Sequence, residues 1–180
     1  MGVSRTSWSD GGRLMASIHS SPVTTPSSRG HSLRSLEADL EIVVATRLAC
    51  QDRCWTGERL ERRRLPHRPL CVLCDQSTEF MSQLLTGCPF SRTIWHEVLS
   101  WIRSTAGPPV AEGPFAEWWE LVVRSNPRQM RKGTLLVIIL TAWWIWKHRN
   151  VIVFNNESPS VAPPVDMIKA EARSWAEAGA

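Results

Sequence analysis

The chain has no tyrosine at all, although it carries ten tryptophans in 180 residues. It also has no Asp-Asp pair and no glycine-rich phosphate loop. A polymerase or a ribonuclease H needs clustered carboxylates to hold divalent metal. A nucleotide-binding P-loop needs closely spaced glycines whose backbone amides cradle phosphate. These absences exclude both chemistries, and no serine or histidine stands in a recognisable nucleophile setting. An uninterrupted apolar span is missing too. The most apolar run, LLVIILTAWWIW at 135–146, covers 12 residues between Arg131-Lys132 and Lys147-His148-Arg149. A bilayer needs about 20 residues, so this run reads as a buried core helix and not as a membrane span. Residues 1–30 contain no apolar core of a secretory signal.

What is present is a moderate core and a mild positive charge. Hydrophobic residues make up 43% and the net charge is +4, from 21 Lys+Arg against 17 Asp+Glu. That balance permits nucleic-acid binding without demanding it. Five cysteines without a signal segment fit an intracellular, reducing setting, nuclear or cytoplasmic, where thiols bind metal instead of forming disulfides. Cys50 and Cys54 lie four apart on one helical face and read as buried core cysteines.

The other three organise the chain. Cys71 and Cys74 form a Cys-x2-Cys pair, followed by Gln83 and Cys88 in the pattern C-x2-C-x8-Q-x4-C. A two-residue gap lets one tight turn aim two thiolates at a tetrahedral zinc ion. The layout is that of a zinc knuckle with glutamine where histidine is expected. An amide is a poor zinc ligand beside thiolate and imidazole. The site therefore has Cys71, Cys74 and Cys88 as ligands and one ligand missing, and His67 or His96 is the nearest candidate for the fourth position. Leading into the knuckle, residues 59–68 hold five arginines, Arg59, Arg62, Arg63, Arg64 and Arg68, with one acid among them. Such a run is either a phosphate-contacting patch or a solvated helix face.

The strings CQDRCWTGERLERRRLPHRPLCVLC, QLLTGCPFSRTIW, WWIWKHRNVIVFN and EARSWAEAGA occur in that order. Together they resemble the zinc-binding domain that follows the polymerase in plant LINE-type reverse transcriptases, over roughly residues 50–180. The resemblance implies a zinc-binding module without its polymerase, which assists nucleic-acid handling and does no catalysis. Its implied partners are RNA or DNA, bound weakly and with little sequence preference, and a separate reverse transcriptase; no membrane is implied. The chain departs from the family at Gln83, which stands for the motif histidine, and at Arg64, where glycine often precedes Leu-Pro. Those departures support an alternative, a degenerate metal-free helical remnant that serves as a structural or protein-interaction module. The three retained cysteines oppose it.

The expected fold is all-α, a small helical domain around the knuckle. Residues 1–34 read as a disordered leader, since eighteen of them are Ser, Thr, Gly or Pro. This leader is Arg/Ser-rich like a transit peptide, and MGVSRT matches the bare myristoylation pattern. The zinc-binding domain is expected over 35–104, a linker over 105–114 and a C-terminal helical region over 115–180. Within these, Leu36, Leu40, Val43, Val44 and Leu48 predict a helix over 35–50. Thr56 is the expected cap of a short helix that ends before Leu65-Pro66; if Arg64 must take the left-handed cap geometry that glycine accepts, that costs about 1 kcal/mol. Thr78 is the expected cap of a helix through Leu85, and Pro89 opens the next, to about residue 103. Further helices are expected over 115–123, from Asn126-Pro127 through the apolar run, and over 165–178, with 155–164 as a connector.

Overall fold

The computed structural model describes residues 54–110 and 113–177. The expected leader, the helix over 35–50 and Cys50 lie outside the described residues. Among those described, every regular element is helical, as the sequence predicts. In chain order they are α1 Gly57–Arg62, a π-helical turn Gln83–Gly87, α2 Pro89–Trp101, α3 Phe115–Ser125, a short 3-10 turn Arg128–Met130, α4 Arg131–Asn155 and α5 Ala162–Glu177. They belong to one unit, Ala38–Ala180.

Helix α4 is the spine. Its side chains alternate at helical period between a buried face, with Ile138, Ala142, Ile145, Arg149 and Ile152, and flanks that meet α3 and α5. The apolar run at 135–146 is thus a core helix, and no helix among the described residues is long and apolar enough to cross a membrane. Trp143, Trp146 and Asn150 are all buried, as their common face requires.

Pro89 stands at the first position of α2, where its missing N–H costs nothing. Ile94, Trp95, Val98 and Leu99 fill the face that α2 turns inward. Trp95 meets Trp118 edge-on at 4.7 Å and Phe115 at 6.1 Å, so residues on both sides of 105–114 share one core. On the other flank of α4, Phe90 stacks on His148, and Trp144 Nε1 donates to Glu171 of α5.

Three local expectations are corrected. Thr56 sits at the N-cap of α1, but its hydroxyl is buried and makes no hydrogen bond; Glu79 takes the capping role instead, as described below. The segment after Thr78 does not run as a plain helix to Leu85. It widens into a π-turn in which the Cys88 N–H donates to the Gln83 carbonyl, five residues back, at 2.6 Å. Finally, α5 begins at Ala162, three residues earlier than expected, with Pro163 and Pro164 inside its first turn. The first N–H groups of a helix have no intrahelical partner, so two prolines there remove no bond.

Candidate metal centre

Three chain segments converge on one point. The first is the turn at 71–77. The Cys71 N–H donates to the Ser77 carbonyl at 2.8 Å, and the Asp75 N–H to the Cys71 carbonyl at 2.8 Å. Asp75 adopts φ 54°, the left-handed geometry that short polar residues tolerate in tight turns. Val72 and Leu73 point into the core, which anchors the turn on its apolar side. The second segment is the π-turn, which carries Gln83. The third is the N-cap of α2, where Cys88 stands.

A π-turn adds a residue to the helical turn, and such bulges concentrate at functional sites. Here it delivers both Gln83 and Cys88. Pro89, four residues after Leu85, has no N–H to offer the Leu85 carbonyl. The indole of Trp95 fills that role, donating to Leu85 O at 2.7 Å. The buried tryptophan of α2 therefore holds the turn that presents the site.

The Cys71, Cys74 and Cys88 sulfurs all lie within 4.8 Å of one another. Cys71 and Cys88 are fully buried, and Cys74 is half-buried. Without metal, the Cys71 thiol is pushed well above its usual range, first by its hydrogen bond to the Cys88 sulfur and then by burial. Cys88 is shifted down, chiefly because it receives that hydrogen bond, with a further contribution from the Ser91 backbone N–H. Metal binding removes both protons and replaces this arrangement.

The donor set fits zinc. Three thiols brought together from one turn and a helix start, with no disulfide among the described cysteines, form a thiolate site of the kind zinc occupies. Cys54 is buried and stands outside this group.

Gln83 is at the position expected of a ligand. It is buried, and its Nε2 lies 3.6 Å from Cys74 Sγ and 2.9 Å from Ser77 Oγ. The two histidines considered for the fourth position are elsewhere: His67 and His96 are both exposed and outside the thiol group, and His67 Nδ1 contacts the Leu65 carbonyl at 3.0 Å.

Of the five arginines, Arg62, Arg63, Arg64 and Arg68 are exposed, and Arg59 is half-buried. Arg62 pairs with Glu58 across one helical turn, and Arg68 reaches Asp75 of the knuckle at 3.4 Å. Arg63 lies over the Trp55 ring, 4.6 Å from its centroid. Arg64 has φ 56°, the left-handed geometry that glycine accepts at less cost.

One buried centre escapes sequence reading. Glu79 is 2% exposed and Arg149 4% exposed, 70 residues apart in sequence. Arg149 Nε donates to both Glu79 oxygens at 3.1 Å, and its Nη2 donates to Oε1 as well. The Gly57 N–H donates to Glu79 Oε1 at 3.0 Å, and the Glu58 N–H to the Glu79 carbonyl at 3.0 Å. Glu79 thus caps α1 and receives α4 in the same pair of contacts. Helical phase was the available signal: Arg149 lies four residues after Ile145 and seven after Ala142, on the apolar face of its helix.

Residues 35–95 match the family described as zinc-binding in reverse transcriptase. The match takes in Cys71, Cys74, Gln83 and Cys88 and ends at Trp95, so the wider resemblance toward residue 180 lies beyond it. Neither the curated proteins nor the solved structures contain a match.

Proposed function

We propose, from the reverse-transcriptase-type zinc-binding module at residues 35–95, that this chain is a non-catalytic nucleic-acid-binding part of a retrotransposon-derived, LINE-type protein. Zinc on Cys71, Cys74 and Cys88 fixes the knuckle, and the arginines beside it contact phosphates. The observation that carries this reading is the adjacency of the two features. Every residue of 61–70 is exposed, and the next residue is the buried ligand Cys71. A rigid, metal-held turn thereby stands at the root of a solvent-facing arginine segment.

The arrangement suits backbone contact better than base readout. Phosphate contacts position a protein and carry no sequence information. Trp55 is the one tryptophan close to the segment in sequence, and Arg63 already covers it. Base stacking therefore contributes little, and binding is weak, sequence-tolerant and electrostatic. Arg62, Arg63, Arg64 and Arg68 carry it; Arg59 is less accessible. A separate reverse transcriptase is the natural protein partner for such a module, in the nucleus or the cytoplasm.

The test uses the purified full chain, its zinc content and its affinity for labelled RNA and single-stranded DNA across a salt series. Three alanines at Arg62, Arg63 and Arg64 should reduce the slope of log affinity against log salt by about 2, at roughly 0.7 per phosphate neutralised on a single strand. Binding that ignores both salt and the triple change refutes the patch. A protein that binds neither zinc nor nucleic acid favours the second reading, a metal-free structural or protein-interaction module. That reading draws on the Glu79–Arg149 pair, which ties the knuckle segment to α4 without any ion.

A further inference from the structure

The site contains a buried atom with nothing to bond. Gln83 is 1% exposed, and while its Nε2 meets Cys74 Sγ and Ser77 Oγ, its Oε1 is buried and has no hydrogen-bond partner. Leaving a buried acceptor unsatisfied costs about 1–3 kcal/mol. The two ends of an amide have nearly the same outline, and a half-turn about the last side-chain torsion exchanges them with no other movement. After that half-turn Oε1 stands 3.6 Å from Cys74 Sγ and 2.9 Å from Ser77 Oγ. The Ser77 hydroxyl can donate as well as accept, so it then donates to Oε1 and leaves a second lone pair facing the thiols.

The distance is that of a ligand. Zinc–sulfur bonds of about 2.3 Å and zinc–oxygen bonds of about 2.0–2.2 Å, at tetrahedral angles, place sulfur and oxygen roughly 3.5 Å apart. The observed 3.6 Å between the Gln83 amide and Cys74 Sγ matches one edge of such a site. The unpartnered end of the amide becomes Nε2, and the coordinate bond is the gain that offsets it.

We propose that Gln83 is the fourth ligand, its amide oxygen closing an S3O zinc site, with Ser77 orienting the amide. This rests on the zinc reading above and deepens it: the position held by histidine in the family is occupied here by a weaker ligand and is not vacant. A neutral oxygen holds zinc less firmly than imidazole does. The site is closed, as structural zinc sites are, but it exchanges its metal more readily.

The competing arrangement keeps Nε2 as a hydrogen-bond donor to the Cys74 thiolate and leaves water on the metal. Cobalt(II) as a spectroscopic probe, with zinc competition against a chelator, separates the two on the full chain. The variants are Gln83→Leu and Gln83→Glu, with far-UV circular dichroism to confirm folding. If the amide oxygen is a ligand, Gln83→Leu shifts the cobalt d–d bands and weakens metal binding at least tenfold, the lower end of what even outer-shell losses cause. Gln83→Glu, which retains an oxygen and the side-chain length, then binds at least as tightly as wild type. Unchanged bands and affinity in Gln83→Leu overturn the proposal. So does Gln83→Glu binding more weakly than Gln83→Leu, the result expected when a carboxylate replaces a donor beside a thiolate. If Gln83→Leu does not fold, the Gln83→Glu comparison with wild type decides, with weaker binding counting against the proposal. Wild type that binds neither cobalt nor zinc overturns the zinc reading itself, a different failure.

Discussion

Glu79 and Gln83 lie four residues apart, and both are almost completely buried, yet their surroundings differ in kind. The Glu79 carboxylate accepts from the Arg149 guanidinium through both oxygens and from the Gly57 amide. Arg149 in turn donates to Asn150 Oδ1 at 3.0 Å and lies over the Trp146 ring. Every strong acceptor and donor of that centre is used. Gln83 uses one end of its amide and leaves the other without a partner. A polar group enclosed by protein and fully bonded fixes a structure, because each bond specifies one relative position of two segments. A polar group enclosed and half bonded keeps an atom free for a further partner, and at Gln83 a thiol cluster lies beside it. The first centre joins α1 and α4, and the second faces three thiols.

This contrast predicts where the largest loss falls. Glu79→Ala leaves Arg149 charged, buried and unpaired, and removes the cap from α1. Breaking one partner of a buried ion pair costs about 3–5 kcal/mol, and urea denaturation should show a loss of that size. The loss should be the same with zinc or with a chelator present, since the pair contains no metal. A cost below about 1 kcal/mol, the range of a surface pair, would mean that Arg149 finds another partner and that the centre is not a structural clamp.

The second centre should respond to metal and the first should not. Gln83→His supplies the ligand type that zinc prefers, on a turn that already presents position 83 to the thiols. It should tighten zinc and raise the melting temperature in zinc, with little change under chelator, because zinc bound to a structural site adds directly to folding free energy. Cys74→Ser should abolish the binding. A chelator competition on wild type and both variants measures this. Equal affinity in wild type and Gln83→His would place residue 83 away from the metal and remove the contrast with Glu79.

The parts of this architecture that were legible in the sequence are those that local chemistry determines. The two-residue gap between Cys71 and Cys74, the proline at the start of α2 and the apolar run of α4 each specify geometry within a few residues. What was not legible depends on distant partners. Thr56 carries the residue type of an N-cap, but Glu79, 22 residues after Gly57, supplies the bond to its N–H. The π-turn is stabilised by Trp95, whose indole replaces the N–H that Pro89 lacks. The charges after the apolar run suggested a flank, whereas helical phase carries Arg149 into the core and leaves Lys147 and His148 half-buried. The phase of Arg149 relative to Ile145 is the signal that puts it inside.

The smallest expected effect tests the other end of the helix that Glu79 caps. Helix α1 closes with the Leu65 N–H bonded to the Leu60 carbonyl at 3.0 Å and the Arg64 N–H to the Glu61 carbonyl at 2.8 Å. That is the paired closure in which the left-handed residue is usually glycine. Arg64 takes the left-handed geometry against the steric preference of its Cβ. Arg64→Gly relieves this strain, while the greater freedom of glycine in the unfolded chain opposes the gain. The net stabilisation should be about 0.5–1 kcal/mol. The same change removes one exposed cation of the proposed phosphate patch, so the salt slope of single-strand binding should fall by about 0.7. Stability and binding thus move in opposite directions. Arg103 provides the control. It has φ 55°, and the Ser104 N–H donates to the Leu99 carbonyl and the Arg103 N–H to the Ser100 carbonyl, the same closure at the end of α2. It lies outside residues 59–68, so Arg103→Gly should give a similar gain in stability with no change in salt slope. Equal slopes in the two variants would show that Arg64 does not touch phosphate. A loss of stability in both would show that left-handed arginine carries no strain at these closures, and that α1 depends on the Glu79 end alone.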